Sequence, residues 1–147
     1  MEKFISRSEV DTHRLAEKIA ESIKRGLPAG RQSKIIALYG NLGSGKTTFV
    51  QGLAKALGIR QRIISPTFVI IRPHKLKTNK TFYHIDLYRL GKADPNNLGL
   101  KEIFLEKDAI VAIEWAEKIE KLLPKDTLKI KFKTLSENER EVTIENE

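Results

Sequence analysis

The sequence predicts an α/β fold, a mainly parallel β-sheet flanked by helices with antiparallel additions at the edge. Three observations carry that expectation. A short apolar run, Ile35-Ile36-Ala37-Leu38-Tyr39, meets a glycine-rich turn and then apolar residues at helical spacing: Phe49, Val50, Leu53 and Leu57. A second run, Ile110-Val111-Ala112-Ile113, is continuous rather than alternating, the pattern of a strand buried on both faces. Between and around these runs, strand-like and helix-like stretches alternate, as they do when helices cover a parallel sheet.

Taken in chain order, Ser8-Glu9-Val10-Asp11 resembles a capping box, with Asp11 in the third helical position. Leu15, Ile19 and Ile23 follow at helical spacing, so residues 9–25 read as an amphipathic helix broken by Pro28-Ala29-Gly30. Residues 34–39 read as a buried strand, and the helix from Lys46 stops at Gly58. Residues 67–71 and 81–85 read as strands around a polar turn at Thr78-Asn79-Lys80. Residues 91–97 are loop by composition, and a short helix covers 100–106. After the 110–113 strand, a helix is expected over 116–122, ending near Pro124. Residues 128–132 and 141–144 are placed in a terminal hairpin. No repeat or low-complexity linker interrupts the chain, so residues 1–147 are expected to form one domain.

Bulk composition narrows the function classes. A chain of 147 residues buries roughly 68–70% of its unfolded surface, enough to fold without a metal or disulfide staple. There is no cysteine, which excludes disulfides, thiolate metal sites and cysteine nucleophiles. Apolar runs stay far below the ~20 residues a membrane helix needs, and residues 1–7 lack a secretory h-region. A cytoplasmic location is expected. The net charge of +8 permits an anionic partner such as RNA, although scattered lysines also serve simply as a solvated surface.

Gly40-Asn41-Leu42-Gly43-Ser44-Gly45-Lys46-Thr47 matches G-x-x-x-x-G-K-[ST] at every fixed position. Glycines let the backbone approach phosphate oxygens, and the loop N–H groups together with the next helix N-terminus form an anion nest. Lys46 is suited to β- and γ-phosphate oxygens, and the Thr47 hydroxyl to Mg²⁺. A chain this long meets the pattern by chance roughly once in two hundred. The dinucleotide alternative fails, because Thr48 stands where a third glycine belongs. A nucleoside triphosphate with Mg²⁺ is the implied ligand, and ATP hydrolysis the implied chemistry.

Such a loop needs a carboxylate at the carboxyl end of a neighbouring strand, to hold Mg²⁺ or orient water. Asp86 ends one strand and Glu114 ends another. His84 reads as a hydrogen-bonded strand residue, and with only His13, His74 and His84 there is no histidine metal cluster. Trp115 reads as core, or as an indole shielding Glu114. Ser65-Pro66-Thr67 reads as a turn, or as a loop sensing the γ-phosphate. Arg89 reads as a solvated charge, or as a contact for phosphate or a partner.

Several blocks together are recognisable. The P-loop with Thr48-Phe49 and Gln51-Gly52-Leu53, then Ser65-Pro66-Thr67-Phe68, His84-Ile85-Asp86-Leu87-Tyr88-Arg89-Leu90 and Ile113-Glu114-Trp115 stand in one order. In these the chain resembles the bacterial tRNA threonylcarbamoyladenosine biosynthesis ATPases, the TsaE/YjeE family, over residues of about 8 to 132. The resemblance implies a weak ATPase that assists threonylcarbamoylation of adenosine 37 in tRNA. It implies two partners, the threonylcarbamoyl transferase subunit and its dimerisation partner, with tRNA nearby. It also implies ATP contacts from Asn41, Leu42, Gly43, Ser44, Gly45, Lys46, Thr47 and Thr48, with Thr12 on the adenine side and Arg140 as a C-terminal contact. By the same resemblance Lys46, Asp86 and Glu114 are catalytic, and Thr47, Glu114 and Asp86 surround Mg²⁺. The segment 91–97 departs from the family's Glu-rich stretch.

Three rival readings compete with this one. A small P-loop kinase phosphorylating a small molecule needs an acceptor pocket and an arginine-bearing lid, for which the chain leaves little room. A GTPase needs N-K-x-D, but Asn79-Lys80-Thr81 is followed by Phe82. A nucleic-acid-binding module would use the positive charge and show salt-dependent tRNA affinity.

Overall fold

The computed structural model describes residues 1–25, 34–61, 63, 71–90 and 98–146. Among them, seven strands form one sheet in the order β1-β7-β6-β2-β5-β4-β3. In chain order these are β1 (Glu2–Ser6), α1 (Glu9–Lys24), β2 (Lys34–Tyr39), α2 (Lys46–Ala56), β3 (Ile71–Lys75), β4 (Thr81–Asp86), α3 (Leu100–Leu105), β5 (Ala109–Glu114), β6 (Leu128–Thr134) and β7 (Arg140–Asn146). Strands β6, β2, β5 and β4 run parallel. Antiparallel strands flank them on both sides, β3 against β4 and β7 with β1 beyond β6. The expected fold class is therefore present.

The continuous apolar runs behave as a parallel centre requires. Every residue of β5 is buried, and the strand alternates between two cores. Ile110 and Ala112 join Ile36, Leu38, Phe82 and the apolar faces of α1 and α2. Val111 and Ile113 join Ile35, Ala37, Ile85, Leu100, Phe104 and Ile119 on the other side. Phe49 of α2 meets Phe132 of β6 edge to face, with ring centroids 5.8 Å apart, which seats α2 beneath the glycine loop.

Local signals set most element ends. The Ser8 hydroxyl accepts from the Asp11 N–H at 3.1 Å, and the Asp11 carboxylate accepts from the Arg7 N–H at 2.9 Å, one residue before the cap. Helix α2 ends in a Schellman arrangement: Gly58 N–H donates to Lys55 O and Ile59 N–H to Ala54 O, each at 3.0 Å. Asn79 takes φ 65° in the turn before β4, where the polar turn was expected.

Three expectations change. Of the strand expected at residues 67–71 only Ile71 is described, where it opens β3, which runs on to Lys75 beyond the expected end; residues 64–70 lie outside the described set. Residues 116–122 form a 3-10 segment interrupted at Ile119 rather than an α-helix. Strand β1 was not anticipated, because Glu2–Ser6 is a five-residue edge strand with only Ser6 buried and too short to display a period. No described helix is long and apolar enough to cross a membrane.

Candidate nucleotide site

The parallel strands β2, β4 and β5 end on the same side of the sheet, where α/β sheets bind ligands. A cleft of about 350 Å³ lies there, lined by Leu42 to Thr48, Asp86, Tyr88, Arg89, Glu114 and Trp115. The structure thus gathers the glycine loop and both candidate carboxylates around one space.

The loop leaves β2 at Gly40 and enters α2 at Lys46. Gly40 takes φ +147°, and a Cβ there would stand 2.5 Å from Ser44 Oγ and 2.8 Å from Phe132 O. Gly45 caps α2 in the left-handed region at φ 106°. Leu42 is 73% exposed at the loop tip, and Asn41 closes the turn by accepting from the Ser44 N–H at 3.1 Å. The Ser44 hydroxyl oxygen is buried without a hydrogen-bond partner among the described residues, an orphaned polar atom inside the loop that an anionic ligand would relieve.

Lys46 is buried. Its ammonium donates to Gly40 O and, at 3.3 Å, to Asn41 O. It also lies 3.6 Å from the Trp115 ring centroid. Burial holds its pKa below the ordinary lysine value, while Glu117, Glu114 and Asp86 act in the opposite sense. Trp115 itself takes a left-handed backbone, φ 61°, a strained conformation of the kind that concentrates at functional sites. Its ring tilts against Tyr88, centroids 5.3 Å apart.

Asp86 and Glu114 are register partners on adjacent strands but have different surroundings. Glu114 Oε1 accepts from the Thr47 hydroxyl at 2.7 Å, and Oε2 lies 2.5 Å from His84 Nε2. Asp86 Oδ1 accepts from the Tyr88 N–H at 3.0 Å. Burial, followed by the Glu114 charge, holds the Asp86 carboxyl above the usual range, with the Tyr88 bond, His84 and Lys46 opposing. Among the described residues no group of three or more His, Asp or Glu side chains could hold a metal by itself. Mg²⁺ does not require one, since it takes one or two carboxylates and completes its shell with phosphate and water. The hydroxyl and carboxylate oxygens 2.7 Å apart suit neighbouring positions around a small cation with bonds of about 2.0–2.1 Å.

A second cleft of about 250 Å³ opens beside the loop, lined by Ser6, Ser8, Thr12, Gly43, Thr48 and Arg140 among others. Thr12 and Arg140, far apart in sequence, thus meet next to the phosphate loop. Thr12 Oγ1 shares a 2.7 Å hydrogen bond with Ser6 Oγ. Arg140 spends its guanidinium on backbone carbonyls: Ser136 O at 2.8 Å, Glu139 O at 3.0 Å and Gly43 O at 3.2 Å. It therefore ties the β6–β7 turn to the loop.

Ser65-Pro66-Thr67 and residues 91–97 lie outside the described residues. Arg89 lines the phosphate cleft and is exposed. Sequence reasoning missed Tyr88 and Lys118. The Lys118 ammonium donates to Tyr88 O at 2.7 Å and Leu90 O at 3.0 Å, holding the segment after β4 in place. No local pattern marks either role. The Asn79-Lys80 pair lies in the turn before β4, at the opposite end of that strand from Asp86. Six strand residues span roughly 20 Å, so a GTPase-like base contact from that pair is excluded.

The model of the threonylcarbamoyl adenosine biosynthesis protein TsaE family matches residues 6–142. The tRNA threonylcarbamoyladenosine biosynthesis protein TsaE of Treponema pallidum is 34% identical over 97% of this chain and 98% of its own. That of Aquifex aeolicus is 37% identical over 98% and 96%, and that of Bacillus subtilis 40% identical over 75% and 68%. The crystal structure of YdiB from Bacillus subtilis superposes with a TM-score of 0.73 at 31% identity, covering 97% of this chain and 83% of that one. The chain therefore belongs to the TsaE family of threonylcarbamoyladenosine biosynthesis proteins.

Proposed function

We propose that this protein binds ATP with Mg²⁺ in the cleft between the glycine loop and Glu114, and hydrolyses it slowly in support of tRNA threonylcarbamoylation at adenosine 37. The observation that carries the reading is the 2.7 Å contact between Thr47 Oγ1 and Glu114 Oε1. It joins the loop to the acid of a separate strand at the point where a triphosphate would lie.

In this reading the loop N–H groups and the α2 N-terminus hold the phosphates. Lys46 leaves the Gly40 and Asn41 carbonyls for phosphate oxygens, and Asp86 orients the attacking water. Thr47 and Glu114, with Asp86 close by, would hold Mg²⁺, which neutralises phosphate charge when bound. Catalysis is then positioning and electrostatics for in-line attack on the γ-phosphate. Thr12 lies on the adenine side, and Arg140 fixes the loop from behind. The partners are the threonylcarbamoyl transferase subunit and its dimerisation partner, and the setting is the cytoplasm.

The test is reconstitution with those two partners, following tRNA modification over many turnovers. Wild type is expected to sustain cycling, and Lys46→Ala and Glu114→Ala to stop after the first rounds. Normal cycling by both variants would overturn the proposal.

A further inference from the structure

One buried group has no part in the chemistry above. His84 is fully buried in β4 and points to the same side of the sheet as Asp86, two residues on. Its Nε2 lies 2.5 Å from Glu114 Oε2, and its Nδ1 has no hydrogen-bond partner among the described residues.

We propose that His84 is a positioning residue for the metal-binding carboxylate. Its Nε2–H holds Glu114 Oε2 so that Oε1 is presented to the Thr47 hydroxyl and to Mg²⁺. This rests on the magnesium–nucleotide reading of the cleft and deepens it.

Tautomer chemistry supports the assignment. A proton on Nδ1 would leave a buried donor with no acceptor among the described residues and set the Nε2 lone pair against a carboxylate oxygen. A proton on Nε2 makes the 2.5 Å contact a charge-assisted hydrogen bond. Geometry supports it too. The Thr47 bond alone fixes one oxygen and leaves the carboxylate free to swing about it. A second donor on the other oxygen fixes the plane. Partners that orient a ligand in this way commonly account for 10–100-fold in metal affinity. Its register partner Ala112, with Phe82 and Ile110, belongs to the apolar core, so an apolar side chain would suit the same buried position without an orphaned nitrogen, and packing does not explain a histidine there.

The experiment compares wild type with three variants, each checked for cooperative melting. His84→Gln keeps an amide N–H at the reach of Nε2. His84→Asn keeps a buried polar group but falls short of Glu114. His84→Leu removes the donor altogether. Trp115, the only tryptophan, adjoins Glu114 and reports the site by fluorescence. The ADP complex is titrated with Mg²⁺, alongside separate measurement of KM and kcat for ATP.

For His84→Leu and His84→Asn the magnesium half-point is expected to rise at least about tenfold. Metal-free nucleotide affinity should be unchanged, and kcat should fall more than KM moves. His84→Gln is expected within about threefold of wild type. Should the leucine variant not fold, the asparagine variant carries the comparison. Wild-type half-points in the asparagine variant, with wild type itself magnesium-dependent, would overturn this inference alone. A wild type that binds ADP identically with and without Mg²⁺ would overturn the reading beneath it as well.

Discussion

Asp86 is 8% exposed and shares its cleft with the carboxylate of its register partner Glu114. Burial and that neighbouring charge raise its pKa, so the folded state takes up the proton more readily than the unfolded one. The ionised form consequently weakens the fold at neutral pH. Asp86→Asn keeps the acceptor for the Tyr88 N–H while removing the charge. It is expected to stabilise the nucleotide-free protein by about 1 kcal/mol, as relief of functional strain commonly does, while lowering ATP hydrolysis at least about tenfold. Thermal melts without nucleotide and phosphate release with it check the two halves; a destabilised variant would refute the electrostatic argument. Lys46 offers a second readout at this scale. Its ammonium stacks on Trp115 while also bonded to the loop carbonyls. Binding Mg-ATP should draw it from the indole and change the Trp115 emission, and Lys46→Ala should abolish most of that change.

Elements meet here through two close approaches. Helices α1 and α2 pack across Gly52, where a Cβ would stand 3.0 Å from His13 Cα and 3.1 Å from Ala16 Cβ. A large side chain must push the helices apart, so Gly52→Leu is expected to cost about 1–3 kcal/mol or more, measured by denaturant unfolding. The glycine loop is the other. Gly40→Ala would drive a methyl into Ser44 Oγ and the Phe132 carbonyl. A cost of about 1–3 kcal/mol is expected, accompanied by weaker nucleotide binding because the displaced Ser44 belongs to the nest. An alanine variant with unchanged melting and affinity would mean the loop relaxes freely.

For the molecule as a whole, the site draws on β2, α2, β4 and β5, so its occupancy bears on the entire sheet. At a hundred times its Kd, Mg-ADP is expected to add about 2.7 kcal/mol of stability, an increment that Lys46→Ala should lose. Isolated turnover is expected far below the ~10 s⁻¹ of a typical enzyme, because among the described residues only the exposed Arg89 joins Lys46 as a cation lining the cleft. Adding the two partner proteins should raise the rate. A fast isolated enzyme would contradict the dependence on partners.

What the sequence determined alone lies within short stretches of chain. The P-loop is eight consecutive residues, β5 a continuous apolar run, and the ends of α1 and α2 follow from Ser8 and Gly58. In each, the deciding physics acts over a few residues. Even the two acids at strand ends were legible this way. Tertiary structure decided which acid meets which partner. Thr47 and Glu114 are 67 positions apart, His84 and Glu114 30, and Gly43 and Arg140 97. Those pairings depend on strand order, and the placement of β2 between β5 and β6 leaves no trace in the local pattern. The same holds for β1, an edge strand defined only by its pairing with β7. Neighbouring residues fix spacing and period. Only the packed sheet brings distant strand ends within hydrogen-bond reach, and that closeness turned two candidate carboxylates into one held by Thr47 and His84 and another held by its own loop.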